Sequence, residues 1–151
     1  MVIRADVKMN FEVEATLLSK EEYEYYKENI LHFARFEKNW WWLRTPGYKE
    51  GYVCFVNREG SVEDDGFVAN PAISLRPALK IIMGPYNLGM SFQFAGLDWV
   101  CIGGGYALCT TELCKYHFNI NINKDGEQNN YDDSDIKSFL EKWLDVAPYL
   151  Y

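Results

Sequence analysis

Apolar and polar residues alternate from Phe11 to Leu17, the pattern of a strand with one buried face. Ser19-Lys20-Glu21-Glu22 follows as a capping box, and Tyr23, Tyr26, Lys27 and Ile30 then mark an amphipathic helix expected to stop near Ile30. From Trp40 to Ile82 the pattern is strands and turns. Trp40-Trp41-Trp42-Leu43 is continuously apolar, Thr45-Pro46-Gly47 is a turn, Gly51 to Val56 is a strand, and Asn57-Arg58-Glu59-Gly60 is a hairpin turn. Ser61-Val62-Glu63 and Gly66-Phe67-Val68 continue the meander, Asn70-Pro71 breaks it, and Leu75 to Ile82 reads as one further strand.

Residues 83–91, with two Gly and a Pro, read as a connector between half-motifs 11–82 and 92–145 of a single domain spanning 1–151. Beyond it, Asp98 to Ile102 and Tyr106 to Thr110 flank Gly103-Gly104-Gly105, a hairpin expected to have a flexible glycine turn. Thr111 is expected to cap a short helix through Tyr116, residues 119–131 form an Asn-rich loop, and Ile136, Phe139, Leu140, Trp143 and Leu144 recur at helical spacing.

Composition narrows the class. With 151 residues, 48% of them apolar, the chain buries roughly two-thirds of its unfolded surface and needs no disulfide or structural metal for a core. Eleven Tyr, 9 Phe and 5 Trp exclude a disordered chain. The net charge of −7 and the lack of a basic stripe argue against direct binding to nucleic acid. Charges at Arg4 and Asp6 sit where a signal peptide needs an apolar core, and no apolar run reaches membrane-spanning length, so a cytoplasmic protein without a membrane partner is expected. In that compartment Cys54, Cys101, Cys109 and Cys114 are expected as free thiols.

Candidate chemistry is sparse. Cys114 and His117, with Cys109 upstream, approach a zinc pattern but match no paired Cys-x-x-Cys template, and packing is the favoured reading. Asn121 to Gly126 with Asp132 approaches an EF-hand loop, but it lacks the first Asp, the final Glu and the flanking helices, so a solvated turn is the better reading. Gly103-Gly104-Gly105 joins strand to strand and is not a phosphate loop. Arg44 and Arg76 follow apolar residues and are expected to be partly buried, needing carboxylates or carbonyls, with ligand binding the competing role. Trp40, Trp41 and Trp42 cannot share one strand face, so an exposed ring is a candidate contact, against packing under a loop or the first helix.

Trp41-Trp42-Leu43-Arg44-Thr45-Pro46-Gly47, Gly60-Ser61-Val62 and Leu75-Arg76-Pro77-Ala78-Leu79 together resemble the bacterial and phage domain of unknown function DUF6273. Leu17-Leu18-Ser19 resembles the Leu-Leu-Ser that starts its helix upstream of the double Trp. Gly96 to Val100, Ala107-Leu108, Tyr131 and Ser134 to Leu144 are similar to the segment that opens that domain, yet here they come last. The order implies a circular permutant, allowed where the two termini lie on neighbouring strands. The resemblance implies an α+β, C-type-lectin-like fold, related to the formylglycine-generating enzymes: one compact domain with a twisted antiparallel sheet and two or three short helices. It brings no catalytic residues.

The expected function is therefore a non-enzymatic protein-binding module without cofactor or metal, phage-encoded and inhibiting a host defence protein in the manner of an anti-CRISPR. Its partner contacts are expected at Trp40, Trp41, Glu63, Asp64, Asp65, Asp132, Asp133 and Asp135, and its structural residues at Trp42, Arg44, Arg76, Pro77, Trp99 and Trp143. Two alternatives stand beside it: a carbohydrate- or calcium-dependent lectin-like domain using the Asn-rich loop and an exposed Trp, and a zinc- or thiol-dependent enzyme using Cys109, Cys114 and His117.

Overall fold

The alternating segment at the start forms β1 (Glu12–Thr16), and the capping box opens α1 (Lys20–Phe33). Ser19 Oγ accepts from the Glu22 N–H at 3.0 Å while Glu22 Oε1 accepts from the Ser19 N–H at 2.8 Å, so both orphan donors are satisfied as the sequence predicts. The helix runs a turn past Ile30. Then come β2 (Trp41–Pro46), β3 (Tyr52–Val56), β4 (Val62–Phe67), β5 (Ser74–Leu75), β6 (Ala78–Met83), β7 (Ser91–Phe94), β8 (Leu97–Gly103), β9 (Tyr106–Cys109) and β10 (Cys114–Lys115). A 3-10 turn (Tyr131–Asp133) precedes α2 (Asp135–Val146), which Ser134 caps by accepting from the Lys137 N–H. The computed structural model describes residues 11–33, 36–120 and 128–147.

The strands form two five-stranded sheets, ordered β1-β6-β9-β8-β7 and β10-β5-β2-β3-β4, in an α+β architecture. Pairing is antiparallel except between β2 and β5, where Trp41 faces Ser74 in parallel. Each sheet draws strands from both halves of the chain: β1 pairs with β6, β6 pairs with β9 of the 97–109 hairpin, and β10 closes onto β5. Side-chain parity divides the core. Trp42, Val53, Phe55, Leu79, Trp99, Cys101, Ala107 and Cys109 pack in one cluster with Ile136, Leu140 and Trp143 of α2. Their strand neighbours Trp41, Leu43, Cys54, Val56, Ala78, Ile102 and Leu108 pack in the other with Tyr23 and Ile30 of α1. Strands covered on both faces read as continuous apolar runs, which explains Trp41-Trp42-Leu43 and Val53-Cys54-Phe55-Val56.

Four expectations change. The single strand expected from Leu75 to Ile82 is two strands in different sheets, and the chain crosses between them at Arg76-Pro77, where Pro77 offers no N–H to either ladder. The connector ends in a strand, since Ser91-Phe92-Gln93-Phe94 alternates and pairs with β8. No helix forms over 111–116. That backbone instead extends the edge beside β5, with Leu113 N–H donating to Leu75 O and Tyr116 N–H to Ile73 O. The Gly103-Gly104-Gly105 turn is held rather than loose: all three φ angles are positive, Gly103 N–H donates to Tyr86 Oη at 2.7 Å and Lys80 Nζ donates to Gly104 O at 3.0 Å.

Candidate functional site

Two arginines organise the interior. Glu22, the last residue of the capping box, receives Arg44 in a two-pronged pair at 2.7 and 3.0 Å and the Tyr106 hydroxyl at 2.7 Å. Arg44 also donates to the Leu17 carbonyl. Burial alone would push the Glu22 carboxyl up, but the hydrogen bonds from Arg44, Ser19 N–H and Tyr106 outweigh it and hold it at about 2. One carboxylate thus ties α1, β2 and β9. Arg76 is buried where the chain changes sheets, stacked on Trp41 at 5.2 Å and Phe36 at 5.5 Å.

The tryptophans separate by face. Trp40 is 46% exposed, packing partly on Phe55 and beneath Arg58. Trp41, expected as a partner contact, is only 4% exposed: strand parity turns it under α1, where Tyr23 meets it edge-on. It is a core residue. Trp42 and Trp99 are fully buried and donate through Nε1 to Tyr116 O and Phe94 O, and Trp143 packs on Phe94 and Trp99. Pro77 is buried, and its carbonyl accepts from Cys109 N–H.

The acidic residues divide as well. Glu63, Asp64 and Asp65 are exposed in succession on β4, the edge strand of its sheet, with Glu63 accepting from Asn57 Nδ2 at 2.9 Å. Asp132 is exposed and stands 3.6 Å from Lys137 Nζ, and Asp133 lies exposed beside Asn130. Asp135, expected as a free contact, is engaged internally: its Oδ2 accepts from Ile120 N–H at 2.8 Å and lies 3.1 Å from His117 Nε2. It fastens the 117–120 segment to the start of α2.

The thiol and metal candidates do not converge. Cys109 is buried beside Thr111 Oγ1, Cys114 lies on the β10 edge, and His117 stacks on Tyr116 and faces Asp135. Burial pushes the thiols of Cys54, Cys101, Cys109 and Cys114 up, with Cys101 reaching about 11. Among the described residues no group of three or more His, Cys, Asp or Glu comes together as metal ligands. The calcium-like loop at 121–126 lies outside the described residues.

Two features escape sequence reading. At the far end of β4 from Trp40, the exposed rings of Tyr48 and Phe67 flank Tyr52, at 5.0 and 5.9 Å, and Lys49 stacks on both tyrosines. The pairing of Tyr52 with Phe67 across β3 and β4 creates that cluster, and the lone aromatics carry no signal of it. A polar cleft of about 520 Å³ opens above Arg44, lined by Thr16, Thr45, Asn130, Tyr131, Asp132 and Lys137 among others. Its walls come from positions 14 to 137, so no local motif announces it.

Among the described residues no helix is long and apolar enough to cross a membrane. No curated protein and no solved structure matches the chain. A family model, the domain of unknown function DUF6273, matches residues 6–83, just over half of the chain. That span carries the capping box, the Trp-Trp-Leu-Arg-Thr-Pro-Gly motif and the Arg76-Pro77 crossing, and the chain therefore belongs to the DUF6273 family.

Proposed function

We propose that the protein is a non-enzymatic binding module that presents the β4 edge to a protein partner with a basic surface. The observation that carries the reading is the edge itself. Three carboxylates stand exposed in succession on an unpaired strand edge, with an exposed Trp at one end and an aromatic cluster at the other. Aromatic anchors beside a polar, charged strip are the composition of a recognition surface. The same carboxylates repel an identical edge, so the strip favours a basic partner over a second copy of the chain. The body behind it is a C-type-lectin-like domain in permuted order, a reading supported by the family match ending where β6 ends and by later strands completing that sheet. In its narrowest form the partner is a host defence protein whose nucleic-acid channel a phage-encoded, cytoplasmic inhibitor covers.

The test is capture from host lysate at low and high salt with the wild-type chain, with Glu63→Lys, Asp64→Lys and Asp65→Lys combined, and with Trp40→Ala. A basic protein retained by the wild type should be lost by the charge reversal and held more weakly at high salt. If both variants remain folded and retain the same proteins as the wild type, the β4 reading is wrong. The polar cleft above Arg44 favours a second reading, carbohydrate recognition, because its hydroxyls, amide and charges suit a hydroxyl-rich ligand. Saturable binding of a sugar that Thr45→Val or Asn130→Ala weakens would support that reading, and a flat titration would remove it.

A further inference from the structure

The aromatic cluster of Tyr48, Tyr52 and Phe67 sits on a turn that is fastened from both sides. Gly47 N–H donates to Tyr52 O at 2.7 Å, Tyr52 N–H to Lys49 O at 3.2 Å, and Tyr48 N–H to Asp64 O at 3.0 Å. Asn129, itself buried, donates through Nδ2 to Lys49 O at 3.2 Å and to Tyr52 O at 3.0 Å. The rings therefore stand on a fixed backbone, and a ligand has little ordering left to impose. Tyr48 is 57% exposed and Phe67 43%, so both keep ring surface within reach of a partner.

Lys49 indicates what these rings attract. Its Nζ lies 5.3 Å from the Tyr48 ring centroid and 5.2 Å from that of Tyr52, and among the described residues no carboxylate is within ion-pair distance of it. An exposed ammonium with water all around it rests against two ring faces, the position of a bound cation. The surroundings are acidic. Exposed Glu50 adjoins Lys49 in the turn, and the Tyr48 N–H bond sets Asp64 beside the cluster. Asp65 and Phe67, two apart on β4, share the face opposite the buried Gly66. One cation thus stands among three carboxylates, Glu50, Asp64 and Asp65.

We propose that the Tyr48–Tyr52–Phe67 cluster anchors an arginine side chain of the basic partner, whose guanidinium stacks on the tyrosine rings in place of Lys49 and turns its N–H fork to the β4 carboxylates. The inference rests on the β4 edge as the contact surface, and it names the side chain that this edge selects. Arginine suits the site better than lysine does. Its planar guanidinium lies flat on a ring, gives up its weak hydration readily, and presents donors in a fork that matches a carboxylate. The Lys49 ammonium has none of these advantages, so it gives way.

The experiment titrates the blocked peptide Thr-Arg-Thr-Arg-Thr, and its lysine and citrulline counterparts, into the full chain at low salt while the ring protons of Tyr48, Tyr52 and Phe67 are followed by NMR. The arginine peptide should shift all three rings saturably and bind about threefold more tightly than the lysine peptide, with the uncharged citrulline peptide giving no shift. Tyr48→Leu keeps apolar bulk at an exposed position but removes a ring face, so it should weaken the arginine peptide by about threefold with circular dichroism unchanged. Phe67→Leu serves as a second such variant. Lys49→Gln clears the rings and should tighten binding by a similar factor. The proposal is overturned if no peptide shifts the rings, if the lysine peptide binds as tightly as the arginine peptide, if folded Tyr48→Leu and Phe67→Leu bind like the wild type, or if Lys49→Gln fails to tighten binding. Equal binding of the arginine and lysine peptides that Glu63→Lys, Asp64→Lys and Asp65→Lys together abolish would remove the anchor and leave the β4 reading standing. The lysate capture decides that reading separately.

Discussion

Replacing Glu22 with Gln removes the carboxylate that caps α1 and holds Arg44 and Tyr106 while keeping the side chain's size. Its pKa falls from an ordinary 4.5 to about 2 in the folded chain. At about 1.4 kcal/mol per unit this corresponds to about 3 kcal/mol of stability at neutral pH. The Glu22 side chain is 23% exposed, so solvent screening trims the figure to about 2–3 kcal/mol. Because the folded value is depressed, the contribution is fully present above pH 4.5 and is lost as the pH falls toward 2. Urea unfolding of the wild type and Glu22→Gln, followed by Trp fluorescence between pH 7 and pH 2.5, should show a gap of that size at pH 7 that narrows steadily below pH 4.5. A gap under about 1 kcal/mol at pH 7, or one independent of pH, would refute the argument that the paired carboxylate holds these elements together.

Gly47→Ala should destabilise the fold by about 1–3 kcal/mol or more in the same unfolding assay, because a Cβ there would lie 2.2 Å from the Asp64 carbonyl oxygen and 2.9 Å from the Tyr52 backbone. Trp41→Ala should cost about 3–5 kcal/mol by emptying a buried site between Tyr23 and Arg76, whereas Trp40→Ala, at an exposed position, should cost under about 1 kcal/mol. Equal losses at the two tryptophans would contradict the division of β2 by face.

Local patterns in the sequence set much of the fold. The capping box fixes where α1 begins, since Ser19 and Glu22 satisfy each other's backbone within four residues. The helical spacing from Ile136 to Trp143 marks the buried side of α2, and unbroken apolar runs mark strands covered on both faces. Period-two alternation in Ser91-Phe92-Gln93-Phe94 was also legible, although the glycines and proline before it suggested only a connector.

What no local pattern carries is the choice of sheet and of partner. Leu75-Arg76-Pro77-Ala78 reads as one strand, and only the packing of β5 against β2 and β6 against β9 places a sheet crossing inside it. Trp40 and Trp41 are identical in the sequence; the direction of β2 under α1 buries one and exposes the other. Asp135 is free or fastened according to where residues 117–120 come to rest. Thus the chain's own periodicity determined which residues form helix and strand, because those preferences arise within a few residues of one another. The crossing at Arg76, the acidic edge and the polar cleft were decided only by tertiary structure, because each depends on contacts between residues tens of positions apart.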